Sequence, residues 1–396
     1  IGNGVAGITC ARHVRKRDSN CKITVISAET EYFFSRTALM YVYMGHMKFE
    51  HTQPYENWFW EKNRIDLVFK YVETIHDTKN ELEYADGTKI SYDELVLATG
   101  AKPNYFGWKG QDLNGVGGLF SKQDLDKMEK YTKGIKRGVI VGGGLIGVEM
   151  AEMLLSRGIE VTFLVRENLF WGNVLPKQEA KLIMRHMAEH HVDLRLETEL
   201  AEIIGDKNGR AIAIKTNTGE TIECGWVGLT AGVSPNISFL KSSNVETNRG
   251  ILIDQEFKTN IPNIYAIGDC AEFKEAVPGR RPIEQVWYTG KIMGESLAKC
   301  LTGTPTPYSP GQWYNSAKFF DIEYQTYGWV FPQLRENENE FYWEDKTGKI
   351  CVHVVFNKET KLFIGINTFG IRMRHHAFDK WLNEGKSVDY VLEHLK

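Results

Sequence analysis

The sequence predicts an α/β protein made of two βαβ units followed by a smaller α+β region. Two glycine-rich turns, at residues 2–7 and 142–147, each lead into a helical segment and predict the two units. Short apolar segments that alternate with turn residues after residue 310 predict the third region. A length of 396 residues also favours two or three domains over one.

The composition excludes several classes of protein. Hydrophobic residues make up 42% of the chain and charged residues 25%, a balance typical of ordered globular proteins. The net charge of −3 supplies no basic surface, so we expect no nucleic-acid partner. No apolar stretch approaches the roughly 18–20 residues of a membrane span, so we expect no such span. The six cysteines form no CxxC or CxxxxC pair, which is typical of free thiols in a reducing compartment and predicts a cytoplasmic location.

The first glycine-rich turn has the GxGxxG spacing of a dinucleotide-binding turn. It is formed by Gly2, Gly4 and Gly7, and a helical segment and a strand that ends at Glu29 follow it. In such a turn the first glycine makes the tight bend, the second lets a diphosphate approach the backbone, and the third lets the helix lie close to the sheet. Glu29 can accept hydrogen bonds from a ribose diol. A turn without a ligand is the alternative, and because only Ile1 precedes Gly2 we expect a few more N-terminal residues in the intact protein.

The second turn repeats this pattern with its first strand in place. Its glycines are Gly142, Gly144 and Gly147, its helical segment stops at Gly158, and a further strand occupies residues 160–166. Two glycine-rich turns that are each followed by a helix and a strand occur together by chance far less often than one. The pair therefore predicts two nucleotide sites.

Three further strands end in short motifs. One apolar strand ends in Ala98-Thr99-Gly100, where small side chains leave room for a cofactor, and a degenerate copy of this ending carries Gly232. Another strand stops at Gly268-Asp269. Asp269 can bind a ribityl hydroxyl group, or it can cap the following turn without any ligand.

Along the chain four motifs follow one another: the first glycine-rich turn, Ala98-Thr99-Gly100, the second glycine-rich turn and Ala266-Ile267-Gly268-Asp269. This ordered set resembles the pyridine nucleotide–disulfide oxidoreductases, flavoproteins with two dinucleotide-binding domains. The resemblance extends from Ile1 to about Gly303. It implies two Rossmann-like domains: a discontinuous FAD-binding domain at residues 1–108 and 237–310, and an inserted NAD(P)-binding domain at residues 109–236. Residues 311–396 would form a small α+β C-terminal domain.

The resemblance also implies a set of binding residues. The segment Tyr32–Leu39 is similar to a family segment that places an arginine near FAD, and a strand at Val72 corresponds to the one whose backbone holds adenine. A helix that begins near Gln285 would direct its N-terminus at the flavin ring. The residues implied in binding FAD or NAD(P)H are Gly2, Gly4, Gly7, Glu29, Arg36, Val72, Thr99, Gly100, Gly142, Gly144, Gly147, Arg166, Gly232, Asp269 and Gln285.

The missing cysteines point to one branch of this family. The disulfide reductases carry a CxxxxC pair in the segment that here runs from Ser35 to Gly45, and other branches carry a single cysteine near the position of Ala38. No thiol can accept electrons there, so we predict the cysteine-free branch, which includes rubredoxin and ferredoxin reductases and the flavin part of nitrite reductases. Cys10 and Cys270 are interpreted as small packing residues.

Glu149 and Tyr41 are the predicted catalytic pair. In several relatives of this branch a lysine pairs with a glutamate beside the flavin; Glu149 matches the glutamate, in the first turn of its helix, whereas Tyr41 stands at the lysine position. The alternative, which the sequence favours equally, is that Tyr41 is a packing aromatic and Glu149 faces solvent.

The resemblance implies an FAD-dependent NAD(P)H oxidoreductase. Hydride would pass from NAD(P)H to FAD, and the electrons would continue to a non-thiol acceptor such as a small redox protein. The alternatives are a redox-sensing flavoprotein with little turnover and an oxygen-reducing oxidase. Arg166 slightly favours NADPH, because an arginine can bind the 2′-phosphate, although a surface arginine is equally open. A homodimer is also left open.

No metal site is predicted. His186 and His190 are one helical turn apart in an amphipathic helix at residues 176–191 and could bind zinc, but a solvated helix face is favoured because no third ligand is evident. In the C-terminal region we expect an aromatic core in preference to a docking surface. The elements expected there are strands at residues 319–330, 340–343, 350–356 and 362–369 and a helix at residues 377–396.

Overall fold

The computed structural model describes residues 1–395. The α-helices of this part of the chain are α1 (Val5–Arg17), α2 (Leu39–Tyr43), α3 (Trp58–Lys62), α4 (Lys122–Tyr131), α5 (Leu145–Ser156), α6 (Lys177–Glu189), α7 (Trp287–Leu301), α8 (His375–Asn383) and α9 (Val388–Glu393). The strands of the first 145 residues are β1 (Ile23–Ser27), β2 (Ile65–Phe69), β3 (Val72–His76), β4 (Glu81–Tyr84), β5 (Lys89–Ser91), β6 (Leu95–Leu97), β7 (Ala101–Pro103), β8 (Val116–Gly117) and β9 (Arg137–Val141).

The remaining strands follow in chain order. They are β10 (Glu160–Leu164), β11 (Asp193–Arg195), β12 (Leu200–Gly205), β13 (Ala211–Thr216), β14 (Thr221–Glu223), β15 (Trp226–Leu229), β16 (Val233–Pro235), β17 (Ile251–Ile253), β18 (Ile264–Ala266), β19 (Ala271–Phe273), β20 (Tyr314–Phe319), β21 (Ile322–Gly328), β22 (Glu338–Glu344), β23 (Cys351–Asn357) and β24 (Phe363–Phe369).

The chain folds into two compact units, and both are discontinuous in sequence. The first unit contains residues 1–103, 120–125 and 233–310. The second contains residues 104–119, 126–232 and the described residues from 311 onward. The α/β class predicted from the sequence is confirmed, whereas the predicted boundaries of the three domains stay a prediction.

In the first unit, short parallel strands support the first glycine-rich turn. β1 pairs with β2, and β6 pairs with β18, both in parallel. The backbone of Ile1 and Gly2 lies between them, since the Gly2 N–H donates to Ile26 O (2.8 Å) and the Ala98 N–H donates to Ile1 O (2.8 Å). α1 packs on α7, and Gly294 allows this close approach because a Cβ there would lie 2.5 Å from Ala6 O.

In the second unit, a parallel sheet of five strands, in the order β11-β10-β9-β15-β8, carries the second glycine-rich turn at the end of β9. Its strands β9, β10 and β15 are almost fully buried, as expected for parallel strands that are covered on both faces. A three-stranded antiparallel sheet, β12-β13-β14, belongs to the same unit. The last part of the chain adds an antiparallel sheet in the order β20-β21-β24-β23-β22.

One expectation for the C-terminal region was incomplete and another was wrong. The strand expected at residues 319–330 is present as β21, but β20 before it was not predicted; the two strands pair as a hairpin, and the chain turns at Phe320-Asp321 with a left-handed Phe320 (φ 56°). The helix expected at residues 377–396 is instead α8 and α9, because the helix ends at Asn383 and the Ser387 hydroxyl then caps a new helix by accepting from the Tyr390 N–H. The strands expected at residues 350–356 and 362–369 are confirmed, each within one residue.

No helix among residues 1–395 combines the length and the hydropathy that a membrane crossing requires.

Candidate functional site

The first glycine-rich turn is tightly packed at its first and third glycines and open at its second. Gly2 has a φ of +104°, and a Cβ there would lie 2.0 Å from Ala98 O. A Cβ at Gly7 would lie 2.2 Å from Gly2 O, whereas a Cβ at Gly4 would meet no atom within 4 Å. Gly4 is the N-cap of α1, and no side chain caps this helix end. The turn therefore has open space at its second glycine, and the binding of a diphosphate there stays a prediction.

Glu29 and Arg36, both predicted to bind the cofactor, lie together and form a two-pronged ion pair. Arg36 Nη1 donates to Glu29 Oε1 (2.8 Å) and Nη2 donates to Oε2 (2.7 Å). The Lys122 N–H donates to Glu29 Oε1 as well (3.0 Å). A carboxylate has about four acceptor positions, and these three contacts leave about one for a ribose hydroxyl. The guanidinium group also lies over the Phe120 ring (4.5 Å).

Sequence reasoning missed residues 120–125 as part of this site. Gln123 Nε2 donates to Glu29 O (2.8 Å), so this segment contacts Glu29 through two residues. Arg36 additionally donates to Phe120 O. The segment carries no motif and is more than 80 residues away in sequence, so no local pattern could have identified it.

Asp269 lies in the short turn that follows β18. Burial raises the pKa of Asp269 to about 6, against the opposing effect of the Arg36 charge. Gln285, just before α7, contacts Asp269 O through Nε2 at 3.5 Å. Asp269 is half-buried by its exposed surface, and its contact with a ribityl hydroxyl stays a prediction.

Val72 and the Ala98–Gly100 segment complete the predicted set in the first unit. Val72 is buried in the core at the start of β3. The Thr99 hydroxyl donates to Asn236 O (2.8 Å), and the Gly100 carbonyl accepts from the Asn236 N–H (2.9 Å). Their contacts with a cofactor stay predictions.

The second glycine-rich turn repeats the geometry of the first. A Cβ at Gly142 (φ +119°) would lie 2.7 Å from Thr230 O, and one at Gly147 would lie 2.5 Å from Phe163 Cζ. A Cβ at Gly144 would meet no atom within 4 Å. Gly144 is the N-cap of α5, again with no capping side chain. Both turns thus have one open glycine at a free helix N-terminus.

Glu149 is partly buried, and its pKa is shifted from the usual value for glutamate. Desolvation, followed by the nearby charge of Glu152, raises the pKa of Glu149 to about 7. Glu152 accepts from Lys318 Nζ (2.7 Å). Because α5 begins at Leu145, Glu149 is its fifth residue, and the expectation that it lies in the first turn was wrong. Tyr41 belongs to α2 of the other unit, and its pairing with Glu149 stays a prediction.

Arg166 and Gly232 lie in the second unit, where the parallel strands end. The side chain of Arg166 is 72% exposed and forms an ion pair with Glu167 (2.9 Å). Gly232 has a φ of +86°, and its carbonyl accepts from the Asn104 N–H (3.1 Å). A nucleotide contact for either residue stays a prediction.

All six cysteines, which lie within the described residues, are free thiols, and four of them are buried. Burial raises the pKa of Cys10 to about 12 and also raises the pKa of Cys270. Since the thiolate is the reactive form of cysteine, these two thiols are poor nucleophiles. This agrees with their interpretation as packing residues.

The comparison with known proteins identifies relatives along most of the chain. A family model described as pyridine nucleotide-disulphide oxidoreductase matches residues 1–293. The chain is 29% identical over 344 residues to a nitrite reductase [NAD(P)H] of Bacillus subtilis, covering 86% of this chain and 41% of that protein. The chain thus spans less than half of the length of that relative.

A second relative and a solved structure match over most of their own length. The chain is 29% identical over 336 residues to a ferredoxin--NAD(P)(+) reductase of a Sphingomonas species, covering 83% of this chain and 80% of that protein. A ferredoxin reductase structure from Rhodopseudomonas palustris has the same fold, with a TM-score of 0.84 at 23% identity, over 93% of this chain and 90% of that one. Because the family model matches residues 1–293 of 396, the chain belongs to the pyridine nucleotide-disulphide oxidoreductase family.

Proposed function

We propose that the chain passes a hydride from NAD(P)H to FAD and delivers the electrons to a small redox protein. Membership of the family makes it an oxidoreductase that uses FAD and a nicotinamide nucleotide. The observation that carries the proposal is the pair of open glycine turns, one in each unit, each at a helix N-terminus with no side-chain cap. The Ser35–Gly45 segment contains no cysteine, which favours a non-thiol acceptor.

The chain's own residues would hold the two cofactors through their phosphates and polyols. The open turns at Gly4 and Gly144 would bind the diphosphates of FAD and NAD(P)H through backbone N–H groups. Glu29, fixed by Arg36, would accept a hydrogen bond from the ribose of FAD, and Asp269 would bind its side chain. When bound, FAD supplies a two-electron acceptor that can release electrons singly.

Four further assignments belong to this proposal. We assign the FAD domain to residues 1–108 and 237–310 and the NAD(P) domain to residues 109–236. The exposed Arg166 supports use of NADPH, because a guanidinium group binds phosphate well. The free cysteines support a cytoplasmic location. Phe341 and Trp343, exposed on the edge strand β22, support a homodimer.

The proposal predicts that NADH or NADPH bleaches the flavin absorbance in anaerobic stopped-flow experiments. The FAD-loaded protein would then reduce one-electron protein carriers such as ferredoxins or rubredoxins faster than it reduces oxygen. Gly144→Ala is the matched variant: Gly144 has ordinary extended backbone (φ −117°) and open space, so a Cβ fits the protein but enters the space proposed for the nucleotide. This variant should keep its FAD and lose rapid bleaching.

Three results would contradict the proposal in different ways. No bleaching by either nucleotide would exclude the reaction itself. Bleaching without turnover on any carrier would indicate a redox sensor, and faster turnover on oxygen than on carriers would indicate an oxidase.

A second prediction concerns Glu149 and pH. Loss of hydride leaves positive charge on the nicotinamide, which the ionised form of Glu149 would stabilise. Since the pKa of Glu149 is raised to about 7, its carboxylate is protonated at pH 6 and ionised at pH 9. Flavin reduction should therefore accelerate as the pH rises through about 7. In Glu149→Gln, flavin reduction at pH 9 should be about ten- to a hundredfold slower, the factor that corresponds to the loss of one hydrogen bond to a charged group. The rate in this variant should also show no change as the pH passes through about 7.

The control for this prediction is Glu152→Gln, which keeps Glu149 but removes the neighbouring negative charge. Its inflection should move to lower pH. If Glu149→Gln retains its FAD and matches the parent rate from pH 6 to 9, Glu149 has no part in hydride transfer.

A further inference from the structure

Three side chains with ligand atoms converge where α6 meets the turn between β20 and β21. His186 and His190 are one helical turn apart on α6, and Asp321 is in the turn. His186 Nε2 is 2.5 Å from Asp321 Oδ1, and His190 Nε2 is 3.1 Å from the same oxygen. The three ligand atoms all lie within 4.8 Å of one another. The expectation of a solvated helix face is therefore wrong for His186, which is 2% exposed.

The surrounding residues hold the two imidazole rings in place. The Phe320 ring stacks on His190, with centroids 4.4 Å apart and planes 10° apart, and it makes a T-shaped contact with the His186 ring. The two imidazole rings are perpendicular to each other at 4.6 Å. Because Phe320 precedes Asp321 directly, the same turn positions the carboxylate and one histidine. Little side-chain freedom remains to be lost when a ligand binds.

A second carboxylate supports one of the histidines. Glu189 Oε2 lies 3.3 Å from Nδ1 of His186, on the side of the ring away from Asp321. In metal sites, a carboxylate at the far nitrogen of a histidine fixes the tautomer and leaves the other nitrogen free to bind the ion. Lys349 Nζ is 3.6 Å from Glu189 and 3.8 Å from Asp321 Oδ2, so an ammonium group shares these negative charges.

We propose that His186, His190 and Asp321 bind a divalent transition-metal ion such as Zn²⁺, which links α6 to the C-terminal sheet. Two imidazoles and one carboxylate favour this class of ion over Mg²⁺ or Ca²⁺, which prefer oxygen ligands. Neighbouring ligands of tetrahedral zinc, with bonds of about 2.0–2.1 Å, are about 3.3 Å apart. In this structure the ligand atoms of the three side chains are separated by 2.5 Å to at most 4.8 Å, a range that includes this ligand–ligand distance. Water would take the fourth position.

The test measures zinc binding by equilibrium dialysis of the FAD-loaded protein after treatment with a chelator. The parent should bind one zinc ion per chain at this site. His190→Ala and Asp321→Asn should each weaken that binding more than tenfold, since even the loss of a supporting carboxylate typically costs about 10–100-fold. Both side chains are well exposed, at 37% and 60%, so these variants should fold, and retained FAD and an unchanged circular dichroism spectrum verify this.

Two further variants separate a metal site from a plain ion-pair cluster. Lys349→Met removes the competing cation and should tighten zinc binding severalfold. His191→Asn changes an exposed histidine next to the site; its left-handed backbone (φ 59°) suits asparagine, and zinc binding should match that of the parent. Zinc should also raise the thermal unfolding midpoint of the parent but not of His190→Ala.

Two outcomes would overturn the proposal. One is zinc binding by the parent that is no tighter than binding by a His190→Ala/Asp321→Asn double variant. The other is an equal loss of binding in His191→Asn, which would place the ion elsewhere.

Discussion

Replacing Gly2 with alanine is expected to prevent stable folding of the first unit and to abolish FAD binding. The new Cβ would lie 2.0 Å from Ala98 O and 2.6 Å from Ala98 C, so the backbone of one segment must move. The φ of +104° adds conformational strain, which for L-residues costs about 1–2 kcal/mol. Added to an overpacking cost of about 1–3 kcal/mol, this is a large part of the free energy of unfolding of an ordinary domain.

Two matched alanine variants separate the causes. Gly87→Ala has a similar left-handed backbone (φ +77°) but open space around it, so it measures the strain alone and should keep its FAD. Gly4→Ala has ordinary backbone (φ −72°) and open space, so it should fold normally but bind FAD weakly, because its Cβ enters the space proposed for the diphosphate. The measurements are the thermal unfolding midpoint and the FAD content per chain. A Gly2→Ala protein with the parent's midpoint and FAD content would contradict the packing argument.

Replacing His353 with leucine is expected to lower the free energy of unfolding by about 3–5 kcal/mol, the typical cost of removing one partner from a buried ion pair. His353 is 0% exposed; its Nδ1 is 2.7 Å from Glu179 Oε1 and its Nε2 is 2.9 Å from Glu340 Oε2. Asn367 Nδ2 donates to the other oxygen of Glu179 (2.8 Å). This network joins α6 to β22, β23 and β24, and the variant would leave Glu179 buried without its positive partner.

The pKa of His353 determines how the stability that this residue contributes changes with pH. Burial alone would lower the pKa of His353, but the hydrogen bond and charge of Glu179, together with Glu340, outweigh it, and the pKa is raised. The stability contributed by this protonated histidine is therefore complete below about pH 6.5 and is lost as the pH rises through the raised pKa. Urea unfolding of the parent between pH 6 and 9 should show this loss.

An exposed pair in the same protein supplies the control for the buried one. His76 and Glu83 are also 2.8 Å apart, but both side chains are about one-third exposed, at 31% and 32%. His76→Leu should therefore change the free energy of unfolding by at most about 1 kcal/mol. The double variant His353→Leu/Glu179→Leu should recover much of the loss, since it removes both charges. Equal effects at His76 and His353 would show that burial is not the cause.

The parts of the fold that follow from local spacing were predictable. The positions of Gly2 and Gly7 each have a steric reason, and the second turn repeats them. Together with the strand endings at Ala98–Gly100 and Gly268-Asp269, these turns resemble the family that the family match confirms. Local patterns could not show which distant residues meet. The resemblance predicts Arg36 as a cofactor ligand but does not predict its ion pair with Glu29. His186 contacts Asp321, which is 135 positions away in sequence.

The division of the first unit into distant segments has a consequence for the order in which the nascent protein matures on the ribosome. β6 pairs with β18, and the face of α1 that contacts α7 is covered only after residue 301 has been synthesised. Each glycine-rich turn closes against backbone that is made early: Gly2 meets Ala98, and Gly142 meets Thr230. Domains generally fold as units during synthesis, and each unit is completed later than its turn, the first when α7 covers α1 and the second when the strands after residue 311 are added. A translation arrest near residue 240 would therefore leave a chain in which both turns have their neighbouring backbone, while β6 lacks β18 and α1 lacks α7.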